Sequence, residues 1–134
     1  MKYIGTKIVE AEPHEFCEEG YAITYEDGYK SWSPKKPFEK AYRPVDAMNF
    51  GLAIEAVKMG HRIARHGWNG KGMYVFLADD VEFNTAADIS EFEGAADGVY
   101  VAEVLVLRTA QGNMQVGWLA SQADMLADDW YIVE

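Results

Sequence analysis

The sequence predicts an α+β fold, an antiparallel sheet built from hairpins with two or three short helices inserted between the strands. Segments that alternate apolar and polar residues are joined by turn signals, of which Asp27-Gly28 and Asn69-Gly70 are the clearest. Helical patterns are few and do not alternate regularly with the strands, as they would in a parallel sheet. The 134-residue chain is 49% hydrophobic, which is enough for the core of one domain with a small appendage.

Residues 1–46 predict a small N-terminal extension that contains strands, one hairpin and a short helix. Its strand-like segments are KYIGTKIV, YAITY and YKSW, and a turn signal separates the last two. Ser33 can cap the helix and Pro34 suits its first position, whereas Arg43-Pro44 ends it. We therefore expect a domain boundary here and a separate domain over residues 47–134.

The best-marked helix opens this second domain, in the segment NFGLAIEAVKMG. Asn49 is its expected cap and Gly60 its expected end. Its predicted apolar face consists of Phe50, Ala53, Ile54 and Val57. The segment SQADMLADD predicts a second, shorter helix, with Ser121 as its cap and Asp124 completing a capping box.

The remaining segments of this domain change to a period of two residues, which predicts strands in HRIAR, MYVFL, VYVAEVLVL, MQVGWL and WYIVE. Asn69-Gly70 predicts a tight turn between the first two of these strands. Gln111-Gly112-Asn113 predicts another turn, between VYVAEVLVL and MQVGWL. Residues 84–98 show no firm period, and we expect a long acidic excursion there.

Composition and charge exclude several classes of protein. A net charge of −10 argues against binding to polymeric nucleic acid, which needs a surplus of cations on the binding face. No segment approaches the ~18 apolar residues of a membrane span, and the first residues lack the apolar stretch of a signal peptide. We therefore expect a cytoplasmic protein that does not bind a membrane. Cys17 is the single cysteine, so neither an internal disulfide nor a cysteine-based metal cluster can form.

The sequence also fails the usual templates for catalysis and metal binding. In a phosphate-binding P-loop ending at Gly70-Lys71, Arg65 stands where the first glycine belongs and Gly72 where a hydroxyl belongs. No serine lies in a Gly-x-Ser-x-Gly elbow, and the three histidines are not spaced as helical metal ligands. We expect no catalytic residue, no metal and no cofactor, and hence a protein that is not an enzyme.

A binding constellation remains in the stretch ARHGWNGKGM, residues 64–73. Its glycines let backbone N–H groups approach a ligand, Trp68 offers a flat surface for stacking, and Arg65 or Lys71 can balance phosphate charge. The alternative is that Trp68 folds back over the hairpin and covers the core, as large aromatic side chains often do. The residue types favour neither reading.

Two longer stretches, GLAIEAVKMGHRIARHGWNGKGMYVFL and GWLASQADMLADDWYIV, resemble the Thoeris anti-defense 2 family, and the resemblance extends over residues 47–134. It implies a phage protein that acts as a sponge, sequestering glycocyclic ADP-ribose without degrading it. Some members of the family also take up cyclic oligonucleotides. The resemblance further implies a homotetramer with ligand pockets between protomers. Residues 1–46 resemble an N-terminal extension present on some phage members.

Carried onto this sequence, the resemblance implies ligand contacts at Arg65, Trp68, Asn69, Lys71, Trp118, Ser121 and Gln122. Arg65 and Lys71 are expected near the phosphates, and the helix N-terminus at Ser121 is expected to favour an anion. Two positions depart from the family pattern. His66 replaces an expected lysine and Gly117 an expected larger residue or proline, and both changes can alter the choice of ligand.

Three functions are compatible with these observations. The first is a sponge for a small cyclic nucleotide, and the second is an interaction module that presents the same aromatic surface to a protein partner. The third is an enzyme acting on nucleotides, which comes last because no nucleophile, metal set or acid–base pair is evident. In the first two cases we expect Trp68 to be exposed in the monomer and covered by a ligand ring or a partner.

Overall fold

A computed structural model describes residues 1–79 and 102–134 of the chain. These residues form two compact units, Met1–Pro44 and Val45–Glu134, each with its own antiparallel sheet. Three helices accompany the two sheets within the described ranges, which confirms the predicted α+β class. The acidic excursion predicted at residues 84–98 lies outside the described residues.

The first unit is a three-stranded antiparallel sheet followed by one helix. Its elements are β1 (Glu10–Pro13), β2 (Gly20–Thr24), β3 (Lys30–Pro34) and α1 (Lys35–Ala41). The strands lie in the order β1-β2-β3. The predicted hairpin is confirmed, because β2 and β3 pair in antiparallel register and Gly28 adopts a φ of +87° in the turn between them.

Two expectations for this unit are wrong. The segment KYIGTKIV is not a strand, and β1 begins only at Glu10. Glu10 lies opposite Thr24, the last residue of β2, so the ladder between the two strands stops where β2 turns away. Ser33 does not cap the helix because it is already part of β3. Pro34 occupies the N-cap position, without a side-chain hydrogen bond to the helix.

The second unit is a five-stranded antiparallel sheet with two helices. The helices are α2 (Phe50–Lys58) and α3 (Gln122–Met125), and the strands are β4 (Arg62–Arg65), β5 (Tyr74–Ala78), β6 (Val104–Arg108), β7 (Met114–Val116) and β8 (Trp130–Val133). The strand order is β7-β6-β5-β4-β8. Since β8 pairs with β4, residues near the end of the chain lie beside the loop that follows β4.

Helix α2 begins at the predicted position and covers the core of this unit, and Ala53 and Val57 of its predicted apolar face are buried. The side chain of Asn49 accepts a 2.9 Å hydrogen bond from the backbone N–H of Leu52, which confirms Asn49 as the N-cap. Gly60, with a φ of +97°, lies just beyond the end of the helix. One cluster of buried residues forms the core beneath the helix: Met48, Ala53, Ala56, Val57, Ile63, Val75, Leu107 and Trp130.

Of the two turns predicted for the second unit, one is confirmed and one is wrong. The turn at Gln111-Gly112-Asn113 is confirmed, with a φ of +90° at Gly112 between β6 and β7. The tight turn at Asn69-Gly70 is wrong, because residues 66–73 form a longer loop between β4 and β5. The start of this loop is hydrogen-bonded to Asp129 and not to β5. The chain therefore does not turn directly from β4 into β5.

Strand β6 is also shorter than predicted. Within VYVAEVLVL the strand begins at Val104, and residues 102 and 103 are not part of it. Residues 99–101 lie outside the described residues. The predicted helix at SQADMLADD is confirmed as α3, and Ser121 and Asp124 form the predicted capping box.

Candidate ligand-binding site

Three tryptophans, Trp68, Trp118 and Trp130, pack edge to face in the second unit, and we call them the tryptophan cluster. The ring centroids of Trp68 and Trp130 are 5.3 Å apart, and those of Trp68 and Trp118 are 6.1 Å apart. Trp130 is fully buried, whereas Trp68 and Trp118 are half-buried. The expectation that Trp68 is exposed in the monomer is therefore wrong, because its ring packs against the core and only part of it remains accessible.

Asp124 lies beneath the cluster and binds two of its three indoles. Its Oδ1 accepts a 2.9 Å hydrogen bond from Nε1 of Trp68, and its backbone carbonyl accepts a 2.9 Å hydrogen bond from Nε1 of Trp130. A buried indole N–H needs such an acceptor, since leaving it unsatisfied costs about 1–3 kcal/mol. The position of Asp124 at the start of α3 therefore sets the orientation of both rings.

The carboxylate of Asp124 is ionised in its buried position. Burial raises its pKa, but hydrogen bonds from Trp68, Arg65 and Ser121 lower it by more, so that the pKa lies below its ordinary value. The carboxylate also occupies the N-terminus of α3, where the backbone N–H of Ser121 donates to Oδ2 at 3.3 Å. A carboxylate of the chain itself therefore lies at the N-terminus of α3.

Arg65 is bound by two carboxylates of the same unit. Its Nη1 donates to Oδ1 of Asp124 at 2.9 Å and its Nε to Oδ1 of Asp129 at 2.8 Å. Only 17% of the Arg65 side chain is exposed. Hydrogen bonds to Asp129 and Asp124 raise the pKa of the guanidinium, which stays charged. Arg65 therefore joins β4, α3 and the residue before β8 into one charged network.

Asp129 uses its second oxygen to hold the start of the loop. Oδ2 accepts a 2.8 Å hydrogen bond from the backbone N–H of Gly67, the residue before Trp68. A Cβ added at Gly67 would lie 2.7 Å from this oxygen, which explains why a glycine stands there. The hydrogen bond from Arg65 lowers the pKa of Asp129, which keeps its carboxylate charged.

The structure brings four of the seven predicted contact residues together around Asp124. Arg65 and Trp68 bind its carboxylate, Ser121 shares the capping box with it, and Trp118 contacts Trp68. The other three predicted residues lie on the surface: Asn69 and Lys71 in the loop, and Gln122 at the start of α3. All three are exposed, so their side chains are accessible to a ligand.

His66, one of the two departures from the family pattern, has a structural environment of its own. Its ring stacks on Tyr131 of β8, with centroids 4.2 Å apart and planes inclined by 19°. Its Nε2 lies 3.1 Å from the carbonyl oxygen of Asp46. The side chain thus fixes the loop against the sheet edge. Gly117, the other departure, has a φ of +82°, which a residue with a side chain rarely adopts.

Sequence reasoning missed Asp129 entirely and saw in Asp124 only a helix cap. A signal for both was present, because a half-buried arginine in a strand needs carboxylate partners and the segment ADMLADDW supplies three of them. The spacing did not say which of the three would reach Arg65. Asp128 is exposed, whereas Asp124 and Asp129 form the ion pairs.

Residues 1–79 and 102–134 contain neither a metal-ligating cluster nor a membrane-spanning helix. These residues contain no group of three or more histidine, cysteine, aspartate or glutamate side chains that could hold a metal ion. Each helix in these ranges falls short of the length and apolar character that a membrane span requires. The candidate site considered in the second unit is the tryptophan cluster with the loop beside it.

The second unit is similar in sequence to known proteins. Residues 48–133 match the family described as the Thoeris anti-defense 2-like domain. The chain is also 38% identical over 91 residues to a protein of Bacillus phage SP01 named Thoeris anti-defense 2. That alignment covers 64% of this chain and 94% of the phage protein. All seven predicted contact residues lie inside the matched region.

Proposed function

Because the chain belongs to the Thoeris anti-defense 2-like family, we propose that it sequesters a cyclic nucleotide signal of the glycocyclic ADP-ribose class without degrading it. Membership of the family gives the chain a phage anti-defense role. The identity of the ligand and the non-catalytic mechanism are the parts that we add. They follow from the family resemblance and from the chemistry of the residues around Trp68.

The observation that carries this proposal is the fixed orientation of Trp68. Its indole is held by a hydrogen bond to Asp124 and by edge contacts with Trp118 and Trp130. A ring that is already ordered loses little conformational entropy when a base stacks on it. Stacking of a base on an aromatic side chain contributes roughly 1–3 kcal/mol in other systems. The accessible part of Trp68 is therefore suited to a nucleotide base.

Charge divides the predicted contacts into two groups. Lys71 is exposed in the glycine-containing loop, so its ammonium can move towards a phosphate. Arg65 is already neutralised by Asp124 and Asp129, so we assign it a weaker attraction for phosphate and a stronger role in holding the site. Asn69, Ser121 and Gln122 offer neutral groups for the ribose and base edges.

We also propose that the ligand pocket lies between protomers of a homotetramer. Large apolar side chains near the tryptophan cluster are open to solvent in the single chain: Leu119 is 89% exposed and Leu126 is 78% exposed. Leu119 follows Trp118 directly, and Leu126 follows α3. Exposed apolar surface of this kind is typical of contacts between subunits. A neighbouring protomer that covers these leucines would lie next to Trp118 and α3.

Ultrafiltration tests the binding step. The full chain, mixed with a glycocyclic ADP-ribose isomer at a protein excess, is expected to retain the ligand above the membrane. The Trp68→Ala variant is expected to retain less, whereas Trp32→Ala, which changes a tryptophan of the first unit, serves as the matched control and is expected to retain the wild-type amount. Equal retention by Trp68→Ala and the wild type would contradict the proposal.

A further inference from the structure

The residues before β1 carry a strand pattern but are not part of a strand in this chain. Segment KYIGTKIV, residues 2–9, is rich in aromatic and β-branched side chains. Tyr3 is 88% exposed and Ile4 is 101% exposed, and Ile8 is also exposed. We call this stretch the N-terminal segment. Its exposed apolar side chains suggest that a partner covers them in the assembled protein.

The N-terminal segment continues an edge strand beyond the end of its sheet. β1 lies at the edge of the order β1-β2-β3, and its ladder with β2 begins at the pair Glu10–Thr24. The paired part of this edge carries Glu10, Glu12 and Pro13, all exposed. Glu12 and Pro13 discourage a further strand from pairing along that part of the edge, whereas Glu10, at its end, can face an opposite charge. The N-terminal segment contains neither proline nor a carboxylate, and its two charged residues are Lys2 and Lys7.

One contact already orients the base of the segment. Nζ of Lys7 lies 4.3 Å from the ring centroid of Tyr25, which follows β2. This cation–π contact holds the segment next to the β2–β3 hairpin within the first unit. Holding one end reduces the entropy that is lost when the rest of the segment pairs with a partner.

We propose that the N-terminal segments of two copies of this chain pair as antiparallel strands about a two-fold axis at Thr6. In this register Lys2 lies opposite the partner's Glu10, and Ile4 lies opposite the partner's Ile8. Tyr3 lies opposite the partner's Val9 in the same way. Opposite charges and apolar pairs in directly facing positions are the pairs that stabilise antiparallel strands. The segment is thus complementary to itself.

Neighbouring registers lack this complementarity. An axis at Lys7 would place the two Lys7 ammonium groups opposite each other and Ile4 opposite a glutamate of the other copy, and like charges in facing positions are destabilising. An axis between Thr6 and Lys7 would place Tyr3 opposite that glutamate. Because a shift of register exchanges which residues face each other along the whole strand, the Thr6 axis is the one that the charges select.

The paired segments would connect the first units of two copies through their β1 edges. The contact is isologous, since both copies contribute the same residues. It involves only residues of the Met1–Pro44 unit, whereas the candidate ligand-binding site lies in the Val45–Glu134 unit. The inference is therefore independent of the proposed ligand, and the two can fail separately.

Disulfide trapping of the full chain tests the pairing. Cys17, the exposed free cysteine, is first replaced in all variants by Cys17→Ser. At the axis, the two Thr6 Cα atoms would be about 4.5–5.5 Å apart, a separation that a disulfide can span. Thr6→Cys is therefore expected to give a covalent dimer under mild oxidation. The matched control is Lys2→Cys, whose two Cα atoms would be about 27 Å apart in this register.

A charge exchange tests the register itself. In the Thr6→Cys background, Lys2→Glu and Glu10→Lys are each expected to lower the amount of covalent dimer, by about two- to thirtyfold for two symmetric charge pairs. The combination of the two substitutions restores opposite charges and is expected to restore the dimer. No dimer with Thr6→Cys, equal dimer with Lys2→Cys, or no recovery in the combined variant would each overturn the proposal.

Discussion

Nε1 of Trp68 donates a 2.9 Å hydrogen bond to Oδ1 of Asp124, a residue 56 positions further along the chain. The same oxygen accepts a hydrogen bond from Arg65. The indole of Trp68 is therefore held in two ways, by an ion-paired carboxylate and by packing within the tryptophan cluster. The two readings of Trp68, as a cover for the core and as a stacking surface, are thus compatible, because one ring can do both.

Substitution of Trp68 separates these two contributions. Trp68→Ala is expected to weaken ligand binding by about 1–3 kcal/mol, because the stacking surface is lost. Its cost in stability is expected to be smaller than the about 3–5 kcal/mol for a fully buried tryptophan such as Trp130. Titration calorimetry and thermal unfolding of Trp68→Ala and Trp130→Ala measure both effects. If Trp68→Ala lowers the melting temperature as much as Trp130→Ala and leaves ligand uptake per folded molecule normal, the site lies elsewhere.

Acidification is expected to destabilise the second unit through its two ion-paired carboxylates. The hydrogen bond from Arg65 lowers the folded-state pKa of Asp129, and the pKa of Asp124 is also lowered because its hydrogen bonds outweigh its burial. As the pH falls, these carboxylates therefore take up protons at a higher pH in the unfolded chain than in the folded protein. The stabilisation is complete above the ordinary carboxyl pKa of 3.8 and is lost as the pH falls through the lower folded-state values.

Melting temperatures measured from about pH 6 down to about pH 2 test this dependence. Asp129→Asn is expected to flatten the loss of stability at low pH, because that position no longer titrates. Asp128→Asn is the matched control, since Asp128 is the exposed neighbour in the sequence, and its profile is expected to follow the wild type. Identical profiles for both variants would show that the Arg65–Asp129 pair does not determine acid stability.

Lys71 and Arg65 are expected to differ although both are cations of the same site. Lys71→Ala is expected to weaken binding most at low salt and to leave the melting temperature unchanged, because Lys71 is exposed. Arg65→Ala is expected to weaken binding in the same salt-dependent direction but also to destabilise the fold by roughly 1.5–3 kcal/mol. It leaves Asp124 and Asp129 without their shared cation.

Binding at several salt concentrations and thermal unfolding of both variants distinguish the two roles. Lys58→Ala, which removes an exposed lysine on α2 that pairs with Glu55, is the control for a general loss of positive charge. An unchanged melting temperature in Arg65→Ala together with a complete loss of the salt dependence of binding would contradict the structural role that we assign to Arg65.

The assembly predicted for the chain is a homotetramer. Light scattering at micromolar concentration is expected to give four times the chain mass of 15.1 kDa. Leu119→Glu is expected to lower that mass, since Leu119 is 89% exposed and would lie at a subunit contact. A monomer mass for the wild type would contradict pockets built between chains.

The parts of the fold that depend on neighbouring residues were predictable from the sequence. Asn49 caps α2 and Ser121 pairs with Asp124 because these signals act within three residues. Gly28 and Gly112 mark two hairpins because their positive φ values favour glycine. In each case the sequence contains both partners of the interaction in one short window.

The parts that failed depend on partners far away in the sequence. The loop after β4 departs from a tight turn because its start binds Asp129, 62 residues further on. Arg65 is engaged by Asp124, 59 residues away, so its pairing was invisible in the loop itself. The N-terminal segment has a strand pattern, yet propensity alone does not make a strand when β2 ends opposite Glu10.

The central claim is that the protein holds its ligand intact, and recovery of that ligand is its most direct test. A glycocyclic ADP-ribose isomer is incubated with an excess of protein for increasing times, the protein is denatured by heat, and the released molecule is quantified by mass spectrometry. Sequestration predicts that free ligand is depleted before heating and that the same molecule is recovered in full after heating, at every incubation time. Accumulation of ADP-ribose or another linear product in proportion to protein and time would show turnover and contradict the account.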